Sequence, residues 1–221
     1  EVSDPYDKSI LRAKRLNEFL SEMLKNQFHV DSMLELEFEK FYKRFYLPPM
    51  RGGTGGAKKR YAGLIQNRTG EEELEFKGLE VVRSDWTKLA KQFQFELFDN
   101  LFHDKDIIEM IKSKVTELKD GLHDKDLVYK KRLTKPASEY IKAIPPHVRA
   151  ALILDPSGRK RIKEIEYYIS TNGPQPYEGK IQNIDYQHYI EKQLKPVAEG
   201  VLFIYEKSFE DVVVGDQLTL F

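Results

Sequence analysis

A cluster of basic and aromatic side chains, Lys58-Lys59-Arg60-Tyr61, follows a glycine-rich segment and opens a stretch with the pattern of a β-strand. Because successive strand side chains point to opposite faces, the pattern predicts that Lys59 and Tyr61 share one face while Lys58 and Arg60 share the other. Such a face can contact the phosphate backbone of a nucleic acid together with the edges of its groove. The alternative is a solvated edge strand whose lysines oppose aggregation.

A second basic segment lies between Lys125 and Lys163, where basic residues outnumber acidic residues by eleven to three. Phosphate binding would require these cations to lie on one surface, and it would depend strongly on salt. The alternative is an ordinary solvated face. The basic residues are Lys125, Lys130, Lys131, Arg132, Lys135, Lys142, Arg149, Arg159, Lys160, Arg161 and Lys163, and the acidic residues are Asp126, Glu139 and Asp155.

The C-terminal sequence Gln217-Leu218-Thr219-Leu220-Phe221 has the character of a linear binding motif. In an extended conformation, Leu218, Leu220 and Phe221 can fill an apolar groove on a partner, and the amide of Gln217 can fix the register. The alternative is a tail that folds back on the core of its own domain.

No group of residues predicts a self-contained active site. The chain has no cysteine, no Ser/His/Asp order and no HExxH motif. The sequences at residues 103–106 and 123–126, each His-Asp-Lys-Asp, have a spacing that could bind a hard cation. Each lies where a helix is expected to begin, so capping by aspartate is the favoured interpretation. We therefore predict no catalytic and no metal-binding residues in this chain.

Composition narrows the class of protein. The 36 basic residues balance the 36 acidic residues, so any nucleic-acid binding must come from local segregation of charge. The absence of cysteine excludes a small disulfide scaffold, and no run of eighteen apolar residues predicts a membrane span. The N-terminus has no signal-peptide pattern, which favours a cytoplasmic protein. The first residue is Glu1 rather than Met, which suggests a piece of a longer protein.

The N-terminal part predicts one helix followed by antiparallel strands. Ser3 or Asp4 can cap a helix that runs to about Lys25 and has one apolar face for a core. The segment from Arg51 to Gly56 predicts a flexible loop that lacks the Lys-Ser/Thr of a phosphate-binding motif. The predicted strands of this part lie at residues 33–39, 41–47, 58–65 and 74–79, with a turn at residues 67–70.

From Ser84 onward the apolar spacing becomes mainly helical, and Ser84 or Asp85 is predicted to cap the first of these helices. Pro196 is expected to kink or restart the last helix, because proline has no N–H. Together the two parts predict an α+β fold. The remaining elements are helices beginning near residues 107, 136, 145 and 185, an extended stretch at residues 127–133, a strand at residues 164–170 and a turn at residues 172–174.

Several segments, in this order, resemble the family B DNA polymerases, and in particular the bacterial group of DNA polymerase II. The resemblance runs from about Leu34 to Phe221, which is nearly the whole chain. The segments are Lys58-Lys59-Arg60-Tyr61-Ala62-Gly63-Leu64, residues 77–86, Tyr129-Lys130-Lys131-Arg132-Leu133, residues 145–151, Thr171-Asn172-Gly173-Pro174, residues 185–189 and the C-terminal tail.

The resemblance implies roles for individual residues. Lys59-Arg60-Tyr61 matches the family's Lys-x-Tyr motif, which implies contacts with primer-template DNA near the primer terminus. The tail is similar to the Gln-Leu-x-Leu-Phe motif that binds the bacterial sliding clamp. The DNA-binding residues expected on this basis are Lys58, Lys59, Arg60, Tyr61, Lys130, Lys131, Arg132 and Arg149, and the clamp-binding residues are Gln217, Leu218, Leu220 and Phe221.

One departure from the family is that the chain has neither the Asp-x-x-Ser-Leu-Tyr-Pro nor the Asp-Thr-Asp segment. In the family these aspartates hold two metal ions, so the resemblance implies that the chain alone is inactive and binds no cofactor, whereas the parent enzyme uses magnesium. The implied organisation is a palm remnant at residues 1–87, a mainly helical thumb at residues 88–206 and a clamp-binding tail at residues 207–221.

The parent enzyme expected from this resemblance would add dNTPs to a DNA primer in replication, repair and the SOS response. Its palm, fingers and exonuclease regions would lie upstream of this chain. The alternative hypothesis is a stand-alone adaptor that binds DNA and is tethered to a sliding clamp.

Overall fold

The computed structural model describes residues 4–48 and 59–213. The strands are β1 (Tyr42–Tyr46), β2 (Tyr61–Gln66), β3 (Glu72–Lys77), β4 (Tyr129–Arg132), β5 (Glu164–Ser170) and β6 (Gly173–Pro176). The helices are α1 (Pro5–Phe28), α2 (Lys88–Phe102), α3 (Ile107–Lys119), α4 (Pro146–Leu154), α5 (Tyr186–Tyr189), α6 (Lys195–Leu202) and α7 (Phe209–Val213). The strands form two sheets, of order β1-β2-β3 and β4-β5-β6. The predicted α+β class is confirmed.

The described residues cluster in two compact units. One unit lies within Glu1–Phe45 and Gly63–Glu75, and the other lies within Tyr46–Ala62 and Phe76–Phe221. No helix in the described part of the chain combines the length and the apolar character needed to cross a bilayer. The predicted boundary between palm and thumb at residue 87 stays a prediction.

Helix α1 of the first unit begins as predicted. The side chain of Asp4 accepts a hydrogen bond from the N–H of Tyr6 at 2.9 Å, and Pro5 occupies the first helical position. The prediction that the helix has a buried apolar face is wrong for the described residues, since none of its side chains is buried. The following chain contacts α1 through Tyr6, which packs on Phe38, and through Asn17.

The predicted strand at residues 33–39 is wrong, because this segment has no regular secondary structure and belongs to neither sheet. The amide of Asn17 takes the place of a neighbouring strand. Its Nδ2 donates to the carbonyl of Leu36 at 3.0 Å, and its Oδ1 accepts the N–H of Leu36 at 2.8 Å. Alternation of apolar and acidic residues was therefore not sufficient to form a strand, because no neighbouring strand pairs with this segment.

The hairpin of β2 and β3 is confirmed, and the side chain of Asn67 organises its turn by accepting from the N–H groups of Thr69 and Glu71. Gly63 is required by close packing within the first unit. A Cβ at this position would lie 2.3 Å from the ring of Tyr42. Strand β2 therefore tolerates no side chain there.

The second unit has a helical core. Predicted apolar residues of α2 are buried, including Leu89, Phe93 and Phe98, whereas the predicted Phe95 is 48% exposed. Helix α2 packs on α3 and α6, and α7 packs on α3 and α6. Tyr46 contacts Phe98 at a centroid distance of 5.3 Å, and burial raises the pKa of the Tyr46 hydroxyl.

Strands β4, β5 and β6 pair in antiparallel order in the same unit, with Tyr129 opposite Tyr167 and Ser170 opposite Gly173. The bounds predicted for β5 are confirmed. Strand β6 was not predicted, because Gly173 and Pro174 indicated a turn alone. Helix α4 covers β5 and β6.

Three local predictions are wrong. The N-cap of α2 is Thr87 rather than Ser84 or Asp85, since its side chain accepts the N–H of Ala90 at 3.3 Å. The helix predicted at residues 136–143 is a single 3-10 turn at Ala137–Glu139. Asp106 caps α3 as predicted, but Asp124 accepts from the hydroxyl of Tyr186 and caps no helix.

The irregularity expected near Pro196 is a π-helical turn at Ile190–Leu194, between α5 and α6. The N–H of Lys195 donates to the carbonyl of Ile190, five residues earlier. Because Pro196 offers no N–H, the wider turn keeps the helical path continuous into α6.

We expect that Thr87→Ala lowers the free energy of unfolding by about 1–3 kcal/mol, because it removes both a helix cap and a buried hydrogen bond. The hydroxyl of Thr87 donates to Oε1 of Gln193 at 2.9 Å, and both residues are buried. Urea denaturation would measure the change. Ser84→Ala is the control and should have little effect, because Ser84 is exposed. Equal stability of the two variants would contradict the assignment of the cap.

Candidate nucleic-acid interface

The connecting segment between β3 and α2, residues 79–87, contacts both of the basic clusters predicted from the sequence. The carboxylate of Glu80 pairs with the guanidinium of Arg60 at 2.6 Å. The carboxylate of Asp85 pairs with Lys131 at 3.3 Å and with Arg83 at 2.9 Å. These residues all belong to the second unit, so one short segment fixes a residue of each cluster.

The end of the connecting segment that carries Glu80 is buried. Glu80 is 6% exposed, and its second carboxylate oxygen accepts from Nε2 of Gln94 at 2.8 Å. Oε1 of Gln94 accepts the N–H of Val81 at 2.7 Å. A buried carboxylate needs such partners, because burial without them is costly. Arg60, the predicted DNA-binding residue, therefore has a structural partner and helps to hold the segment.

Lys59 is exposed and lies in a left-handed turn, with φ of +60°, just before β2. The predicted face shared by Lys59 and Tyr61 is wrong, because the strand begins at Tyr61 and a left-handed residue breaks the alternation. Gly78 packs against this turn. A Cβ at Gly78 would lie 2.3 Å from the carbonyl oxygen of Lys59. The backbone of the turn at Lys59 is therefore closely packed, whereas Lys58 lies outside the described residues.

The cations of β4 point in two directions. Lys130 pairs with Glu164 at 2.9 Å and with Glu166 at 3.5 Å, and Arg132 pairs with Glu164 at 3.4 Å. Lys131 lies on the other face and reaches Asp85. Because the basic segment predicted from the sequence ends one residue before Glu164, the count of eleven to three omitted the carboxylates that pair with its strand.

These ion pairs do not remove the cations from reach. The side chains of Lys130 and Arg132 are 56% and 86% exposed. Ion pairs at such exposure contribute little to stability, so a phosphate can compete for the cations. Glu164 and Glu166 nevertheless lower the positive charge of this face, and they raise the pKa of the Lys130 ammonium.

Strand β4 is held from its buried face by aromatic stacking. The rings of Tyr129 and Tyr167 stack at a centroid distance of 5.1 Å, and Tyr189 stacks on Tyr129 at 5.7 Å. The hydroxyl of Tyr129 is hydrogen-bonded to Nε2 of His188 at 3.0 Å. Burial raises the pKa of Tyr167 to about 12. The stack gives the exposed cations of β4 a fixed backbone.

Arg149, the other predicted DNA-binding residue, lies on α4. Its Nε donates to the carbonyl of Ile144 at 3.1 Å, which ties the helix to the loop before it. A guanidinium has further N–H groups, so this bond leaves donors for a phosphate.

The basic loop at residues 159–163 connects α4 to β5 and is the C-terminal end of the second basic segment identified in the sequence. Its four cations are exposed, and none has a carboxylate within ion-pair distance among the residues that the structure describes. The cations are Arg159, Lys160, Arg161 and Lys163.

The predicted clamp-binding residues Gln217, Leu218, Leu220 and Phe221 lie outside the described residues, as does the glycine-rich segment. Within residues 4–48 and 59–213, no group of three or more histidine or acidic side chains is arranged to hold a metal ion.

Comparisons with known proteins identify the class. The family model for DNA polymerase family B matches residues 7–204, which is most of the chain. The chain belongs to this family. It is 43% identical to DNA polymerase II of Escherichia coli K12 over 216 residues, covering 94% of this chain and 27% of that protein.

Archaeal relatives are more distant. A DNA polymerase of Methanocaldococcus jannaschii is 33% identical over 85% of this chain and 12% of its own length. One from Thermococcus aggregans is 31% identical over 94% of this chain and 11% of its own length. The resemblance to the bacterial group is confirmed, and the chain spans about a quarter or less of the length of these relatives.

We expect that Asp85→Asn lowers the free energy of unfolding at neutral pH but leaves it unchanged in strong acid. The hydrogen bond from Arg83, supported by Lys131, lowers the pKa of Asp85 to about 2. A lowered carboxyl pKa contributes stability that is present above the unfolded pKa, near 4, and that is lost as the pH falls toward 2. Allowing for partial exposure, the expected loss at pH 7 is about 1 kcal/mol.

Urea denaturation at several pH values between about 7 and 2 would measure this difference. Glu178→Gln is the control, because Glu178 is exposed and has no ion-pair partner in the described part of the chain. If Asp85→Asn lowers the free energy of unfolding equally at every pH, the ion pair with Arg83 and Lys131 is not the cause of the lower stability.

Proposed function

We propose that this chain grips primer-template duplex for a template-directed DNA polymerase, as the C-terminal part of the palm together with the thumb. The complete enzyme would add dNTPs to a DNA primer, using magnesium held elsewhere. The main support for this proposal is that the connecting segment binds a residue of each basic cluster. Glu80 holds Arg60 next to Lys59, while Asp85 holds Lys131 next to Lys130 and Arg132.

These contacts suit binding to a duplex, because they hold in place the backbone of both the turn before β2 and strand β4, and both of these elements carry exposed cations. Lys59 projects from a closely packed turn, and Lys130 and Arg132 project from a strand held by stacked tyrosines. Contacts of this kind reach phosphates and carry little sequence information. A polymerase requires such contacts, since it must extend primers of any sequence.

Chemistry is not part of the role proposed for this chain. Two-metal phosphoryl transfer needs carboxylates that position both ions. The chain lacks the aspartate segments that supply them in the family. The proposed contribution of the chain is therefore duplex binding and, through its tail, attachment to a sliding clamp in replication and repair.

We expect the chain to bind labelled duplex DNA with an affinity that falls steeply as salt rises. Lys59→Ala should reduce the slope of log affinity against log salt by about one, and the double variant Lys130→Ala with Arg132→Ala by up to about two, one for each phosphate contact. Fluorescence anisotropy over a series of KCl concentrations measures both slopes. Lys180→Ala is the control, because Lys180 is exposed and lies outside both clusters. Slopes equal to that of the control would contradict the proposed contacts.

We also expect that deletion of residues 217–221 abolishes binding to a bacterial sliding clamp. Leu220 and Phe221 each contribute roughly 1.5–3 kcal/mol when fully buried, so a groove that accepts both can supply much of a micromolar affinity. Surface plasmon resonance with immobilised clamp measures the loss, and Thr219→Ala, at the variable position of the motif, should bind normally. A melting temperature lowered by several degrees, without any clamp binding by the intact chain, would show that the tail belongs to the core.

A further inference from the structure

The backbone of Lys59 has a conformation that residues with a side chain seldom adopt. Its φ is +60°, in the left-handed region where a Cβ meets steric resistance. A residue keeps such a conformation only where the surrounding structure holds it. The ammonium of Lys59 is exposed and has no carboxylate within ion-pair distance in the described part of the chain. The turn is therefore held by its neighbours and not by the charge of Lys59.

The next residue, Arg60, is fixed by two contacts with residues 78–80. Its Nη2 donates to Oε1 of Glu80 at 2.6 Å, and Glu80 is 6% exposed. A Cβ at Gly78 would lie 3.1 Å from Cγ of Arg60, and the same glycine closely approaches the carbonyl of Lys59. This short stretch of the chain thus contacts both the backbone of Lys59 and the side chain of Arg60.

Gln94 of α2 anchors the same stretch to the core of the second unit. Gln94 is 2% exposed, and its Nε2 donates to Oε2 of Glu80 at 2.8 Å. Its Oε1 accepts from the N–H of Val81 at 2.7 Å. A chain of buried hydrogen bonds therefore links helix α2 to the residue that follows Lys59. A network of this kind tolerates few alternative arrangements.

The guanidinium of Arg60 is poorly placed to bind a phosphate itself. Its Nη2 is bonded to Glu80, and its Nε is buried without a hydrogen-bond partner among the described residues. These two nitrogens form an edge that can donate two parallel N–H groups to a phosphate. Because one nitrogen of this edge is bonded and the other is buried, the contacts favour a structural role for Arg60 over direct contact with DNA.

We propose that Arg60, Glu80 and Gln94 are positioning residues for Lys59, since together they hold the left-handed turn that presents its ammonium to the primer-template duplex. This inference rests on the proposed function. It replaces the direct contact expected of Arg60 by an indirect role. It also gives the acidic residue Glu80 a favourable effect on DNA affinity, whereas an acidic side chain near a DNA-binding surface otherwise opposes binding by repulsion.

The test measures binding of the full chain to labelled duplex DNA over a series of KCl concentrations, with Glu80→Gln introduced both beside Lys59 and beside Lys59→Ala. Glutamine keeps an oxygen for Gln94 but presents an N–H donor to Arg60, so the turn is released. With Lys59 present, we expect weaker binding and a slope of log affinity against log salt that is shallower by about one. With Lys59→Ala, we expect Glu80→Gln to leave the slope unchanged and not to weaken binding.

The dependence on Lys59 separates positioning from a general loss of folded protein. Partial unfolding would weaken binding equally in both backgrounds, and that result would overturn the inference. Stronger binding by Glu80→Gln with Lys59 present would also overturn it, since Glu80 would then act by repulsion alone. Glu178→Gln is the matched control, because it removes the same charge from an exposed position of the second unit and should not weaken binding.

Variants of Arg60 provide a second measurement, which decides the question if Glu80→Gln does not fold. Arg60→Met should lower the salt slope only when Lys59 is present. A direct phosphate contact by Arg60 would instead lower it by about one in both backgrounds and would overturn the inference. Arg60→Lys keeps a cation for Glu80 and should restore most of the binding that Arg60→Met loses.

The same measurements distinguish this inference from the proposed function. If the intact chain binds duplex but Lys59→Ala has no effect, or its effect adds to that of Arg60→Met, the inference fails while duplex binding by the chain stands. If the intact chain does not bind duplex even at low salt, the proposed function fails and the inference fails with it.

Discussion

The arrangement of the candidate interface depends on buried hydrogen bonds that hold the connecting segment. At one end, the carboxylate of Glu80 is shared by Arg60 and Gln94, and at the other end Thr87 donates twice to Gln193. Each bond contributes roughly 1 kcal/mol, but the loss of one partner leaves a buried polar group unsatisfied at a cost of roughly 1–3 kcal/mol. Such a network tolerates few alternatives, so it fixes the segment and the basic residues attached to it.

The backbone of strand β4 is also held in place, but by aromatic stacking rather than by buried hydrogen bonds. Its buried face is held by stacking of Tyr129 with Tyr167 and Tyr189, which depends on apolar contact and on ring geometry. The opposite face carries Lys130 and Arg132, which remain exposed. Because a strand alternates its faces, a single β4 can serve the core and the surface together. The chain thus combines a rigid backbone with cationic side chains that can rearrange around a phosphate.

The sequence predicted correctly those features that depend on interactions between residues close together in the chain. The bounds of β5, the caps Asp4 and Asp106, and the irregularity near Pro196 follow from alternation, side-chain acceptors and the missing N–H of proline. Prediction failed where a distant group decided the outcome. Residues 33–39 join neither sheet, and the backbone of Leu36 bonds to the side chain of Asn17 instead of to a strand. Asp85 pairs with Arg83 and Lys131, and Thr87 caps α2.

The ion pairs of the candidate interface likewise depend on residues that are distant in the sequence. A count along the sequence treats Lys130 and Arg159 alike, because both lie in a segment rich in cations. Folding places Glu164 and Glu166 across the ladder from Lys130, so its charge is largely balanced within the strand pair. The loop that carries Arg159 precedes β5, and in the described part of the chain its cations have no carboxylate within ion-pair distance. Pairing in the sheet therefore determines which cations of this neutral chain remain available to a polyanion.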